Sequence, residues 1–139
     1  MVIDDYDFIC GGIVRILEKC KGVEIVAEAI DGVNAIEFAL ETKPDIAVID
    51  VSVPRVNGLE AVHSIHGVLP GCRLLVVTAR HDDEHIVPMV KAGASGYLLK
   101  EKVPTELDGA IKALSSGHVH FGQRATRILA ERLAREELN

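Results

Sequence analysis

The feature that most constrains the fold is a regular alternation between short apolar runs and longer stretches with helical periodicity. The apolar runs are about four residues long and rich in β-branched side chains, which favours strands over buried helices. Between them, apolar residues recur three or four positions apart, as on one face of an α-helix. The sequence therefore predicts five βα units, with strands at Val2-Ile3, Glu24 to Ala27, Ile46 to Ile49, Leu74 to Val77 and Tyr97 to Leu99.

Strands that are apolar throughout are typical of a parallel sheet covered by helices on both faces. Five units are too few for a closed eightfold barrel of about 250 residues. We therefore predict an α/β fold with an open, doubly wound five-stranded parallel sheet. A further amphipathic helix over Gly122 to Asn139 is expected to lie outside the five-unit core. Residues 1–120 are assigned to one domain and residues 121–139 to this tail helix.

Composition excludes several classes of function. The length of 139 residues indicates a single domain. The net charge of -6 makes direct binding of nucleic acid by this chain an unexpected function. Its three cysteines (Cys10, Cys20 and Cys72) lack CxxC spacing and indicate buried thiols in a reducing compartment rather than a disulfide or zinc site. Neither a membrane helix of about 18 apolar residues nor a signal peptide is evident, which predicts a cytosolic protein without membrane contact.

Charged and polar side chains follow the predicted strands at the edge where ligands bind in open α/β sheets. Asp4 and Asp5 follow the first strand, Asp50 the third, Thr78 the fourth and Lys100 the fifth. Converging carboxylates repel one another unless a cation lies among them, and oxygen ligands favour Mg²⁺. With the cation present, a carboxylate can form an acyl phosphate while Lys100 neutralises charge on the phosphoryl oxygens. The set predicts a site that receives a phosphoryl group.

Several segments in this order resemble the receiver domain of two-component response regulators, in particular those of NarL/LuxR-type transcription regulators. The main ones are Asp4-Asp5, Ile46 to Gly58, Val77-Thr78-Ala79 and Gly93 to Lys100. Ala27 to Gly32 also resembles that subfamily's second strand and turn. The resemblance covers roughly residues 2–120. It implies a flavodoxin-like sheet with strand order 2-1-3-4-5 and a linker-like tail helix.

The resemblance also implies a function and a set of site residues. A sensor histidine kinase would transfer its phosphoryl group to this domain in the presence of Mg²⁺, and phosphorylation would switch homodimerisation or an effector output. Such a domain is a signalling module, not a classical enzyme. DNA binding is expected only through a C-terminal helix-turn-helix domain, which the residues after Gly122 do not provide. The implied residues are Asp50 as phosphoacceptor; Asp4, Asp5, Asp50 and the Ser52 carbonyl as metal ligands; Thr78 and Lys100 as phosphoryl contacts; Thr78 and Tyr97 as the switch pair; and Ala79 and Arg80 flanking the pocket.

Particular residues leave other functions open. Only Met1 to Ile3 precede Asp4, a shorter first strand than relatives usually have, so a phosphorylation-independent interaction module with a vestigial pocket is the main alternative. A phosphatase-like hydrolase would need an acid where Ser52 stands. A flavodoxin-like electron carrier would need a phosphate loop rich in glycine and hydroxyl groups after the first strand, where this chain is acidic.

The histidines occur in closely spaced pairs. His81 and His85 have the four-residue spacing of a transition-metal clamp, but their acidic surroundings favour an exposed start of the fourth helix. The other pairs are likewise interpreted as surface residues: His63 with His66, and His118 with His120.

Overall fold

The described residues form a parallel, five-stranded sheet. The computed structural model describes residues 1–4, 11–51, 57–79 and 83–138 of the chain. The strands are β1 (Val2–Ile3), β2 (Glu28–Ala29), β3 (Ile46–Asp50), β4 (Arg73–Thr78) and β5 (Gly96–Leu99). Their order in the sheet is β2-β1-β3-β4-β5, with every neighbouring pair parallel. The predicted doubly wound sheet and its strand order are confirmed.

Helices follow the strands as the periodicity predicts. They are α1 (Gly11–Glu18), α2 (Gly32–Thr42), α3 (Gly58–Val68), α4 (Ile86–Ala92), α5 (Val103–Ser115) and α6 (Gly122–Leu138). Side-chain caps set the starts of two of them, because Asp31 accepts a hydrogen bond from the amide of Asn34 (2.8 Å) and Asn57 from that of Glu60 (3.2 Å). The segment Asp83–His85, expected as the first turn of α4, is instead a short 3₁₀ turn ahead of it.

The prediction for the second strand was wrong in position. It was expected at Glu24 to Ala27, whereas β2 is Glu28–Ala29. A strand forms where a neighbour offers backbone partners, and β2 pairs with β1 through Val2↔Glu28 and Ile3↔Ala29. The ladder begins where the amide of Val2 donates to the carbonyl of Ala27 (3.0 Å). Pairing with β1, rather than the β-propensity of the preceding residues, therefore decides where this strand lies.

The core consists of one apolar cluster on each face of the sheet. Successive strand residues point to opposite faces, so β1, β3, β4 and β5 each contribute to both clusters, while β2 contributes Ala29 to the second one. Helices α1 and α5 cover the first cluster, which includes Val48, Leu75 and Val77 from the strands. Helices α2, α3 and α4 cover the second cluster, which includes Ile3, Ile49, Leu74, Val76 and Tyr97 from the strands.

Helix α6 joins the second cluster, which corrects the expectation that the tail lies outside the five-unit core. Ala125 is buried in that cluster, and Phe121, Ile128 and Leu129 pack against it. The segment ahead of α6 also extends the sheet, because His120 forms a parallel bridge with Gly96. Residues 118–138 thus cover part of α4 and the outer edge of β5. The division of the chain at residue 120 stays a prediction.

In the part of the chain that the structure describes, no helix combines the length and the apolar character needed to cross a bilayer.

Candidate functional site

Three polar residues lie at the carboxyl edge of the sheet. Asp4 directly follows β1, Asp50 is the last residue of β3 and Thr78 is the last residue of β4. The register pairs Ile3 with Ile49, so Asp4 lies across from Asp50 on the neighbouring strand. Among the described residues, these three are the buried polar ones, with exposed fractions of 5%, 0% and 2%. Such burial is costly for polar groups, which marks this edge as a specific site.

Lys100 completes the site from the far side of β4. It directly follows β5, and its Nζ lies 2.8 Å from Oδ2 of Asp50, the last residue of β3. Because β4 lies between β3 and β5, the lysine side chain reaches past the end of β4, where Thr78 stands. The Lys100 side chain is 23% exposed and that of Asp50 is 0% exposed. A buried carboxylate is strongly destabilising without a cation, and the ammonium group of Lys100 supplies one here.

Tyr97 lies one step behind the site on β5. Its partner on β4 is Val76, and Thr78 pairs with Leu99, so Tyr97 and Thr78 belong to the same face of the sheet. Tyr97 is buried in the second cluster. Ala79, just beyond β4, is exposed at the edge of the site. The structure therefore brings Asp4, Asp50, Thr78 and Lys100 to one edge, with Tyr97 behind them and Ala79 beside them.

The remaining predicted site residues, Asp5, Ser52 and Arg80, lie outside the described residues, and their roles stay predictions. His81 also lies outside them. Within the described ranges no group of three metal-ligating side chains is found, while the proposed ligand set depends in part on Asp5 and Ser52. The donors that are described fit a hard cation, since Asp4 and Asp50 present carboxylate oxygens side by side at a buried edge.

One contact near the site was not predicted from the sequence. His63, His66 and His118 are exposed, as expected, but His120 is half-buried. Its carbonyl accepts a hydrogen bond from the amide of Tyr97 (2.9 Å), and its own amide donates to the carbonyl of Ser95 (3.1 Å). Sequence reasoning missed this contact because backbone pairing leaves no side-chain signature.

Comparisons with known proteins agree with this architecture. The family model described as "Response regulator receiver domain" matches residues 1–112. The transcriptional regulatory protein DegU of Brevibacillus brevis is 33% identical over 135 residues, which cover 97% of this chain and 57% of that protein. The chain thus spans little more than half the length of this relative.

Solved structures give the same result. A two-component response regulator of the LuxR family from Aurantimonas sp. SI85-9A1 superimposes with a TM-score of 0.86 at 33% identity, covering 96% of each chain. The signal receiver domain of the putative response regulator NarL from Mycobacterium tuberculosis superimposes with a TM-score of 0.77 at 29% identity, covering 84% of this chain and 94% of that one. On these matches and the fold above, the chain belongs to the response regulator receiver domain family, and its homologues are LuxR/NarL-type regulators.

Proposed function

We propose that this chain accepts a phosphoryl group on Asp50 from a sensor histidine kinase, in a reaction that requires Mg²⁺. The observation that carries the proposal is the buried Asp50 carboxylate with Lys100 Nζ 2.8 Å away, at the edge where β1, β3 and β4 end. Burying a charged pair contributes little net stability, so this arrangement is better explained by chemistry than by folding. Membership of the receiver family supports the same reaction class.

In the proposed reaction, a carboxylate oxygen of Asp50 attacks the phosphorus of a phosphohistidine on the kinase. An O–P bond forms and yields an acyl phosphate, while the P–N bond breaks. The imidazole nitrogen keeps the bonding electron pair and takes up a proton. Lys100 then transfers its contact from the carboxylate to a phosphoryl oxygen, and the Thr78 hydroxyl donates a hydrogen bond to another.

The proposed metal ligands are Asp4, Asp5, Asp50 and the backbone carbonyl of Ser52. When bound, Mg²⁺ would neutralise the converging carboxylates and the charge that develops on the phosphoryl oxygens. Asp4 supports this assignment because it is buried across from Asp50. Ala79 and Arg80 are proposed to flank the opening, where they would influence access of water to the acyl phosphate.

The proposed output is a change in homodimerisation or in contact with an effector, used for transcription regulation in a longer protein. Thr78 and Tyr97 form the proposed switch pair, since they share a face of the sheet on neighbouring strands. A phosphoryl group that draws Thr78 toward the pocket changes the space available to Tyr97. DNA contact is proposed only for a helix-turn-helix domain of such a longer protein.

The test is incubation with Mg²⁺ and acetyl phosphate, followed by intact-mass measurement. One phosphoryl adduct is expected on the unmodified chain and none after removal of Mg²⁺ with a chelator. Asp50→Asn should abolish the adduct, whereas Asp45→Asn should keep it because Asp45 is exposed at the opposite end of β3. Replacing Lys100 by Met should slow adduct formation on the order of 100-fold, as expected for losing one charge-stabilising donor.

Two outcomes contradict the proposal. The first is absence of any adduct on the unmodified chain, which would favour the phosphorylation-independent interaction module. The second is an adduct that persists in Asp50→Asn, which would place the acceptor elsewhere.

A further inference from the structure

Exposed apolar side chains are concentrated on one face of the sheet, which we call the four-helix face. Helices α2, α3, α4 and α6 cover this face and lie side by side in that order. Its exposed large apolar residues are Val33 and Leu40 of α2, Leu59 and Val68 of α3, and Leu133 of α6. Among the described residues, α1 and α5 on the other face expose none. Apolar exposure confined to one face indicates a contact surface, since exposed apolar residues are otherwise scattered.

Helices α2 and α3 enclose a groove at one end of the four-helix face. A stripe of small or apolar side chains runs along each helix at the spacing i, i+3, i+7: Val33, Ile36 and Leu40 on α2, and Ala61, Ser64 and Val68 on α3. The first two members of each stripe line a cavity of about 420 Å³ between the helices. A cavity of this size has room for apolar side chains of a binding partner.

The two ends of the four-helix face differ in charge. Asp31 and Glu60 line the α2–α3 groove, and Glu37 and Glu41 are exposed on α2. Neither α2 nor α3 contains a lysine or an arginine. Arginine predominates at the other end, on α6, which contains Arg124, Arg127, Arg132 and Arg135 against Glu131, Glu136 and Glu137. An acidic end and a basic end on one surface make that surface complementary to itself.

We propose that the four-helix face is an interface for a second copy of this chain, in which α6 of each copy packs on the α2–α3 groove of the other. Leu133 supplies the exposed apolar side chain on α6, and Arg127 and Arg135 are exposed on the same helix. Ala125 keeps its own buried contact, so α6 stays docked on its own chain. The inference names a surface for self-association and does not rest on phosphoryl transfer to Asp50.

Two-fold symmetry satisfies both contacts at once. An axis that runs along the helices between α3 and α4 places α6 of each copy over the acidic groove of the other, so the same contact forms twice. Neighbouring helix axes lie about 9 Å apart, and eleven-residue helices such as α2 and α3 are about 16 Å long. The projected area is therefore roughly 400–500 Å², small beside the standard of about 800 Å² per partner. We accordingly expect a weak dimer, with a Kd of about 10–100 μM.

The first test is sedimentation equilibrium of the unmodified chain at concentrations up to about 200 μM, without Mg²⁺ or a phosphoryl donor. A reversible monomer–dimer equilibrium is expected. Raising the salt concentration from about 0.05 M to about 0.5 M should weaken the dimer about fivefold or more, because complementary charges are screened. Leu133→Asp should weaken it about tenfold or more, since this change places a charge in the apolar contact.

The second test reverses the charge of one end at a time. Arg127→Glu with Arg135→Glu makes α6 acidic, and Glu37→Lys with Glu60→Lys makes the groove basic. Each double variant should remain monomeric, because like charges then face each other in both contacts. An equimolar mixture of the two should form a heterodimer, because each contact again joins opposite charges. Lys112→Glu is the matched control on α5, at an exposed position of the other face, and should leave the dimer unchanged.

The outcomes separate this inference from the proposed function. A chain that stays monomeric at about 200 μM overturns the interface. Double variants that dimerise as strongly as the unmodified chain overturn it as well, as does a mixture of folded double variants that forms no heterodimer. Phosphorylation by acetyl phosphate should be unchanged in every variant, because none of the substituted residues lies at the Asp50 site. Loss of self-association therefore leaves the phosphoacceptor role intact, and failure of phosphorylation leaves the interface intact.

Discussion

At Gly93, adding a single methyl group should lower the free energy of unfolding substantially, through two causes that can be measured separately. This residue ends α4 with a φ of 124° and a ψ of 8°, a backbone conformation that L side chains rarely adopt. A Cβ atom there would also lie 2.4 Å from Cγ and 2.8 Å from Cβ of His66 on α3. Gly93→Ala therefore introduces two distinct costs, one in the backbone and one in the contact between α3 and α4.

The two costs can be estimated separately. Placing a Cβ at positive φ costs roughly 1–2 kcal/mol, and forcing an extra carbon into an occupied contact costs about 1–3 kcal/mol. The imidazole of His66 is exposed and can rotate, but its Cβ is fixed by the α3 backbone. We therefore expect Gly93→Ala to lower the free energy of unfolding by about 2–5 kcal/mol. His66→Ala removes Cγ but keeps Cβ, so it should recover only about 1–2 kcal/mol of this loss.

The assay is a double-mutant cycle measured by urea unfolding, with Gly93→Ala, His66→Ala and the double variant. Gly67→Ala is the matched control: it lies next to His66 in α3, a methyl group added there would meet no atom within 4 Å, and the substitution should raise stability by about 0.5–1 kcal/mol. A Gly93→Ala variant as stable as the parent would refute both costs. Strict additivity in the cycle would refute the contribution of the His66 imidazole, and would leave the backbone cost and the contact with Cβ of residue 66.

Two further predictions follow from local geometry. Lys43 ends α2 in the left-handed conformation, with a φ of 46° and a ψ of 60°. Lys43→Gly should therefore raise the free energy of unfolding by about 0.5–1 kcal/mol, whereas Lys43→Ala should not. Equal effects of the two substitutions in urea unfolding would count against this interpretation. Burial raises the pKa of the Cys72 thiol to about 11, so a thiol reagent should label Cys72 only when the chain unfolds; peptide mapping that finds rapid labelling of the native protein would contradict this.

The sheet was predictable where β-propensity and a partner strand coincide. The third and fourth strands were predicted to within one residue at each end, because Ile46–Asp50 and Arg73–Thr78 lie in the centre of the sheet with neighbours on both sides. The second strand was misplaced because Ile25 and Val26 carry strand propensity, while the partners that β1 offers lie opposite Glu28 and Ala29. β-Propensity is a property of one segment, whereas the position of a strand also depends on the residues of the neighbouring strand with which it pairs.

For the candidate site, the sequence predicted which residues lie close together but not the contacts between their side chains. Parallel strands share a carboxyl edge, so chain order alone brought Asp4, Asp50 and Thr78 together. The contact of Lys100 with Asp50 required the side-chain conformation, which residue spacing does not specify. For the tail, the periodicity of Ala125 and Ile128 predicted an apolar face on the helix but not the surface that this face covers. An amphipathic helix can pack against many different apolar surfaces.

The pairing of His120 with β5 also affects which fragment of the chain can be expressed without aggregating. A last strand with open backbone groups is a template for strands of other molecules, and native proteins cover such edges to avoid aggregation. Here the residues around His120 provide that cover, and the apolar face of α6 is shielded at the same time. A truncated version ending before His118 would expose both a strand edge and the apolar surface beneath α6. Expression boundaries for this domain are therefore better set at the end of α6 than at the end of α5.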